Sequence, residues 1–288
     1  MGSKEYLIKQ VGEFKMYLDP LKRGISSSLY GQGYREPGFM WIMNKEAKGK
    51  LGIDLGANLG YSTLHMCKKM EKVIAIEPDN RMIKLLKLNV KKNKYEKKVE
   101  IQNFAISDHD GEGVIYLFKK KPNLNTMCLN TGAKKSKDLF KKKKIKIRKI
   151  DTLNISPDFI KMDIEGYEIE AIKGAMETLK KVDKCKLLIE VHPQYYDNDR
   201  SFSEVLINLF DIGFDVKYIV SAGCACPDLF KEKGYHPFKI LKDEERYRGI
   251  FENISKEDAI NFCAFKHNQK EKSGKISIKI ARSILLVK

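Results

Sequence analysis

No apolar run in this sequence approaches the roughly 18 residues a membrane-crossing helix needs, and its opening, MGSKEYLIKQ, holds no stretch apolar enough for a signal peptide. An N-myristoylation signal is also missing, since Tyr6 stands where Ser or Thr is required. These absences lead us to expect a soluble, cytoplasmic chain without a membrane span. Cysteine is present six times, at 67, 128, 185, 224, 226 and 263, but in no framework spacing, so reduced thiols are expected. Cys224 and Cys226 form half of a metal-site pattern that no second cysteine pair completes, and zinc is not expected.

Arginine is scarce as well. The formal net charge is +17, yet only 8 of the 55 basic residues are arginine. A basic surface attracts nucleic acid, but specific phosphate and guanine readers favour the bidentate guanidinium fork. The longest basic run, KKKKIKIRK from Lys141 to Lys149, passes into alternation with isoleucine, the pattern of a half-buried strand with a solvated face. Also missing are a D-P-P-Y-like adenine motif, a strand-end Pro-Cys and a spaced K-D-K-E set, so a nucleic-acid acceptor is a second choice.

With 42% hydrophobic residues, the 288-residue chain can bury a substantial core. Residues 1–49 carry mixed helical patterning and are read as a segment covering the acceptor site. From residue 50 strand-like and helical stretches alternate: KLGIDLG, NLGYSTLHMCKKM, KVIAIEP, NRMIKLLKLNVKKN and KVEIQNFAIS. This β-α-β-α-β order predicts a doubly wound α/β fold with a mostly parallel, Rossmann-like sheet. An insertion from Asp108 to Ile150, with strands GVIYLF and IKIRKI, precedes the fourth strand, DFIKMDI. Then follow helix EIEAIKGAMETLKKV, strand CKLLIEVH, helix FSEVLINLFDIG, strand FDVKYIV, an irregular stretch from Ser221 to Arg248 and a last strand, AINFCAFKH. The main domain is set at 50–267, and the tail 268–288 is left unplaced.

The chemistry concentrates where strands end. IDLGANLG turns the first strand into the first helix, and Gly56, Ala57, Asn58 and Gly60 let backbone approach a ligand. The spacing departs from the G-x-G-x-x-G dinucleotide loop, and the acid on the strand, Asp54, suits a cationic cofactor better than a pyrophosphate. That favours S-adenosylmethionine over NAD. Glu77, 21 residues after Gly56 and followed by Pro78, is placed to accept both ribose hydroxyls, and Asn103 to meet the adenine edge. Because ligands of open α/β sheets lie beyond the carboxyl ends of the strands, Asp163, Glu165 and His192 are expected in the same crevice. Glu36, Asn125, Tyr195 and Tyr196 are candidate walls of an acceptor pocket.

Together IDLGANLGYSTL, VIAIEPD, AISDHDGEG, DFIKMDIEGYEIEAIKGA and LLIEVHP resemble the FkbM family of S-adenosylmethionine-dependent methyltransferases, from about Lys50 to His192. The resemblance implies the class I methyltransferase fold, a seven-stranded sheet with one antiparallel strand, and O-methylation of a sugar or other small-molecule hydroxyl. It also supports Asp54, Gly56, Asn58, Gly60 and Glu77 as cofactor contacts. Such a hydroxyl must lose its proton as the methyl arrives, so His192 is assigned as general base with Asp163 or Glu165 as its orienting partner. In a less favoured variant Asp163 and Glu165 hold a divalent cation. A non-catalytic domain that only binds S-adenosylmethionine is the third reading.

Overall fold

The computed structural model describes residues 6–21, 23–118, 125–127, 140–196, 199–243, 246–267, 269–270 and 276–288. Where helical patterning was expected, the chain first forms an antiparallel hairpin, β1 (Leu7–Val11) and β2 (Phe14–Leu18). Val11, Phe14, Met16 and Leu18 recur with strand periodicity and are buried against Leu59, Leu64, Met82 and Leu85. Two helices follow, α1 (Ile25–Gln32) and α2 (Pro37–Glu46).

The expected alternation then runs through β3 (Gly49–Leu55), α3 (Tyr61–Met66), β4 (Met70–Ile76), α4 (Asn80–Lys92) and β5 (Val99–Gln102). The third predicted strand is broken: Asn103 and Phe104 carry the chain out of the main sheet into β6 (Ala105–Ile106). With β7 (Gly111–Phe118) and β8 (Phe140–Arg148), β6 makes a separate three-stranded sheet. As its alternation predicted, β8 buries Ile145 and Ile147 and exposes Lys144 and Lys146.

β9 (Phe159–Met162) returns to the main sheet. One long helix was expected next; the chain forms two, α5 (Glu168–Lys173) and α6 (Met176–Lys181). They part at Gly174, where a Cβ would lie 1.9 Å from the Ser107 carbonyl oxygen. β10 (Lys186–Glu190), α7 (Phe202–Asp211) and β11 (Asp215–Ser221) follow as read. The stretch read as irregular contains α8 (Asp228–Glu232), β12 (Lys239–Asp243) and the start of β13 (Arg246–Phe251). Most of AINFCAFKH is helical where a strand was expected, its first part, AINFCA, completing α9 (Lys256–Ala264): Ser255 accepts the Asp258 amide as N-cap, and Ala259, Phe262 and Cys263 form a buried stripe at helical spacing. Beyond the two-residue strands β14 (Gln269–Lys270) and β15 (Ile276–Ser277) comes β16 (Ala281–Val287).

Among the described residues the main sheet has nine strands, ordered β12-β13-β11-β16-β10-β9-β3-β4-β5, where seven were expected. The hairpin β12–β13 adds two beyond β11. Strands β10, β9, β3, β4 and β5 are mutually parallel, whereas β16 is antiparallel to both its neighbours. The tail set apart at residue 268 therefore supplies an interior strand, with Ile284, Leu285 and Leu286 fully buried. Helices and loops cover both faces, and the larger core packs Ile53, Leu55, Ile160, Leu187 and Ile189 against Phe202, Leu206, Phe230 and Phe262. Among the described residues no helix is long and apolar enough to cross a membrane.

Candidate active site

A crevice of about 750 Å³, including space open to solvent, lies past the carboxyl ends of β3, β4 and β9. Gly56, Asn58, Glu77, Pro78, Asn125, Asp163 and Glu165 line it with the apolar Ile76, Phe104, Ile106 and Ile115. A second recess of about 400 Å³ shares Arg35, Gly56, Asn58 and Asp163 and adds Glu36, Ala57 and Lys161. The size and the mix of apolar walls with a few polar groups suit a small-molecule ligand.

The glycine loop is shaped by close approach. Gly56 (φ 73) sits so near β9 that a Cβ would lie 2.1 Å from the Asp163 carbonyl oxygen. Gly60 (φ 96) caps α3 and does not line the crevice, where it was expected as a ligand contact. Glu77 is buried at the end of β4, with Oε2 accepting the Asn58 amide at 2.9 Å and Oε1 the Asp79 amide at 2.8 Å. Burial outweighs those bonds and raises its pKa to about 7. Asn103 turns from the crevice and donates to the Glu77 carbonyl oxygen at 2.9 Å, so its neighbours Phe104 and Ala105 line the wall instead.

Asp54 departs further from expectation. It is fully buried, accepts Ser62 Oγ at 2.7 Å and Thr63 Oγ1 at 2.6 Å, and pairs with Lys161 Nζ at 3.0 Å. Its charge is thus neutralised inside the protein instead of being offered to a cofactor. Lys161 also donates to the Leu55 and Gly56 carbonyls. Burial pulls its ammonium down, but Asp54 and Asp163 outweigh burial, and its pKa is raised. A lysine within the apolar strand FIKM was the sequence signal for this partner.

Asp163 and Glu165 face the crevice, while His192 stands behind them and is 3% exposed. Its Nε2 lies 3.6 Å from Glu165 Oε2 and 3.7 Å from Glu190 Oε1, and its Nδ1 is 3.0 Å from Glu168 Oε1. The orienting partner is therefore Glu168, not Asp163 or Glu165. Tyr196 reinforces this arrangement: its hydroxyl accepts the His192 amide at 3.0 Å and donates to Glu168 Oε2 at 3.1 Å. Burial lowers the His192 pKa, but Glu168, Glu165 and Glu190 outweigh it and raise it to about 9. The ring is therefore an imidazolium at neutral pH, turned inward, and is poorly suited to accept an acceptor's proton. Burial lifts Glu165 to about 7, against the pull of His192, and lifts Asp163 well above the usual carboxylate range. Glu165 occupies a left-handed conformation (φ 52), and Thr126 Oγ1 donates to its carbonyl at 2.6 Å; such strained residues concentrate at functional sites.

Of the expected walls, Asn125 and Glu36 reach the recesses and the two tyrosines do not line them. Asn125 donates to Asp79 at 2.9 Å and accepts the Phe118 amide, tying the inserted sheet to the end of β4. Tyr196 is buried and stacked on Phe202, and the Tyr195 ring packs where a side chain on Gly166 would be. Glu36 joins an ion network that sequence reading missed: Arg35 and Arg282 each bind its Oε1 at 2.7 Å, and Arg282 also binds Glu190 at 2.9 Å. Lys279 adds charge 3.6 Å from Glu190. Both Asp163, Glu165 and His192 and the set Glu36, Asp163 and Glu190 bring ligand atoms within 4.8 Å of one another. The carboxylates of both sets already interact with Arg35, Arg282 or Lys279, and those of Glu165 and Glu190 also with the His192 imidazolium, positive charge of the kind a divalent cation would bring.

A model of the FkbM methyltransferase domain matches residues 54–216. Solved structures similar to the chain include a methyltransferase FkbM from Methylobacillus flagellatus, 21% identical over 60% of this chain and 40% of that one, with a TM-score of 0.41. TYW2 of P. horikoshii, in complex with MeSAdo, is 16% identical over 100% of this chain and 73% of that one, at 0.44. The tRNA m1G37 methyltransferase of M. jannaschii is 16% identical over 88% and 56%, at 0.41. The chain thus spans well under two thirds of the first and third of these proteins. No curated protein matches it significantly in sequence.

Proposed function

The chain belongs to the FkbM methyltransferase family, and from that premise we propose that it transfers the methyl group of S-adenosylmethionine to a hydroxyl of a sugar, glycan or other small acceptor. The observation that carries this reading is the position of Asp163 and Glu165: two carboxyls of raised pKa facing the crevice beside the Gly56 loop. The lining fits the cofactor. Each Glu77 oxygen spends one lone pair on a backbone amide and keeps another for a ribose hydroxyl, and Ile76, Phe104, Ile106 and Ile115 offer an apolar slot for a purine. Bound there, S-adenosylmethionine supplies an electrophilic methyl on a sulfonium.

The chain's own residues do the rest. Gly56 and Asn58 bring backbone against the ligand, and Asp163, whose carboxyl burial holds well above the usual carboxylate range, sets a hydrogen-bonding group close to the loop. Glu165 accepts the acceptor's hydroxyl proton as the C–O bond forms; a base with a pKa of about 7 is half-ionised at neutral pH. His192, held by Glu168 and Tyr196, keeps a positive charge behind Glu165 and favours its ionised form. Calorimetric titration with S-adenosylmethionine and S-adenosylhomocysteine tests the first half of the reading. Binding is expected in the wild type and in Glu165→Gln, weakened at least tenfold in Glu77→Ala. Radiolabelled methyl transfer to a panel of oligosaccharides should then occur in the wild type and fall about 100-fold in Glu165→Gln. Absence of cofactor binding by the folded wild type would overturn the proposal.

A further inference from the structure

The antiparallel pair β7 and β8 puts one face on the crevice and a dense positive charge along β8. Ile115 lines the crevice; its cross-strand partner is Lys143, and on the same face Lys141 stands opposite Leu117. The other face carries Lys142 opposite Tyr116, Lys144 opposite Val114 and Lys146 opposite Glu112. Lys141, Lys142, Lys144 and Lys146 are exposed, and the ion pair seen for these lysines among the described residues is a loose one, Lys144 to Glu112 at 3.9 Å. Alternate residues of a strand lie about 7 Å apart, within the screening length at physiological salt, so these ammonium groups repel one another and an anionic ligand would relieve the repulsion.

We propose that this lysine run of β8 docks the acceptor, and that the acceptor is a glycan chain bearing carboxylates. The inference rests on the reading of the crevice as a site for a hydroxylated acceptor and adds its charge. Two observations favour a glycan over a nucleic acid. The charge comes from lysines, while the strand's arginine, Arg148, lies over the Phe104 ring and donates to the Thr152 carbonyl, so no guanidinium fork is offered to a phosphate. The rings beside the lysines, Tyr116, Phe118 and Phe140, pack edge-on or tilted against one another, at 85° for Tyr116 with Phe140 and 55° for Phe118 with Phe140. They form no row of parallel platforms for successive bases. Lys142 hangs over Tyr116 at 5.7 Å, leaving charge and ring side by side for a sugar acid.

The test uses the full chain with three polymers: polygalacturonate, neutral dextran and polyuridylate. Fluorescence titrations at about 50 mM salt should show polygalacturonate bound at least about tenfold more tightly than either of the others. Replacing Lys141, Lys142, Lys143 and Lys144 by Gln should weaken that binding about tenfold or more, whereas the same change of net charge at Lys84, Lys87, Lys91 and Lys92, exposed on α4, should change it less than about twofold. Equal binding of dextran, equal loss in the α4 variant, or preference for polyuridylate would each overturn the proposal. S-adenosylmethionine affinity, measured on the same samples, should be equal in both variants. Its absence in the wild type would count against the methyltransfer reading, separately from the polymer result.

Discussion

Glu168 determines what His192 can do. Its carboxylate touches Nδ1, the Tyr196 hydroxyl and the Gly166 amide, so its own pKa is held low: burial opposes, but His192 and these bonds prevail. Glu168→Gln removes the nearest negative charge, and the His192 pKa, about 9 in the native protein, should fall by at least one unit, readable in the ¹⁵N shifts of its ring. With less positive charge behind it, Glu165 should then titrate above about 7. Ring shifts that leave the His192 pKa unmoved would mean that Glu168 is only packing. Arg282 makes a second residue-level case, because it binds both Glu36 and Glu190. Arg282→Met strands two carboxylates and should cost about 3 kcal/mol in denaturant unfolding; a loss below about 1 kcal/mol would show that Arg35 and Lys279 suffice.

At the scale of elements, the glycine loop is the most constrained joint. Gly56→Ala combines a left-handed φ with a Cβ driven into the Asp163 carbonyl, so β3 and β9 must part. Its cofactor affinity should drop at least about tenfold, with stability reduced by about 2 kcal/mol or more; calorimetry and thermal melts read the two losses. The loop, the strand-end acids Glu77 and Asp163 and the β-α alternation were legible in the sequence because each leaves a local trace: glycine spacing, an acid after an apolar run, a change of period. What was illegible depends on partners distant along the chain. Asp54 looks like a ligand contact until Lys161 is seen to hold it, and the orienting role of Glu168 follows from the meeting of α5 with the end of β10. AINFCAFKH misleads because its apolar density suits a strand, whereas the helix is decided by the Ser255 cap and by the spacing of Ala259, Phe262 and Cys263. The tail reads as unplaced because IARSILLVK pairs with two strands that precede it by 60 residues or more.

For the whole molecule, the pKa shifts set the direction of its pH dependence. His192, raised from 6.5 to about 9, contributes stability that is complete below pH 6.5 and lost as pH rises through 9. Glu77 and Glu165, raised from 4.5 to about 7, act in the same sense over a lower window, their contribution fading as pH rises from 4.5 through 7. Glu168 and Glu190, both lowered, act oppositely and withdraw stability as pH falls below about 4.5. The melting temperature should therefore peak on the acid side of neutrality and decline towards pH 9.5, and His192→Gln should flatten the alkaline limb. A flat profile in the wild type would count against the shifts.

β16 lies between β10 and β11, yet its residues follow both of these neighbours by 60 or more. During translation, β10 and β11 are made well before the strand that must join them, and they wait with apolar faces and open hydrogen-bonding edges. The nascent chain cannot close its sheet until β16 has left the ribosome. Closure of the sheet is thus timed by synthesis, and the interval between β11 and β16 is when these edges are most exposed to aggregation and to chaperones.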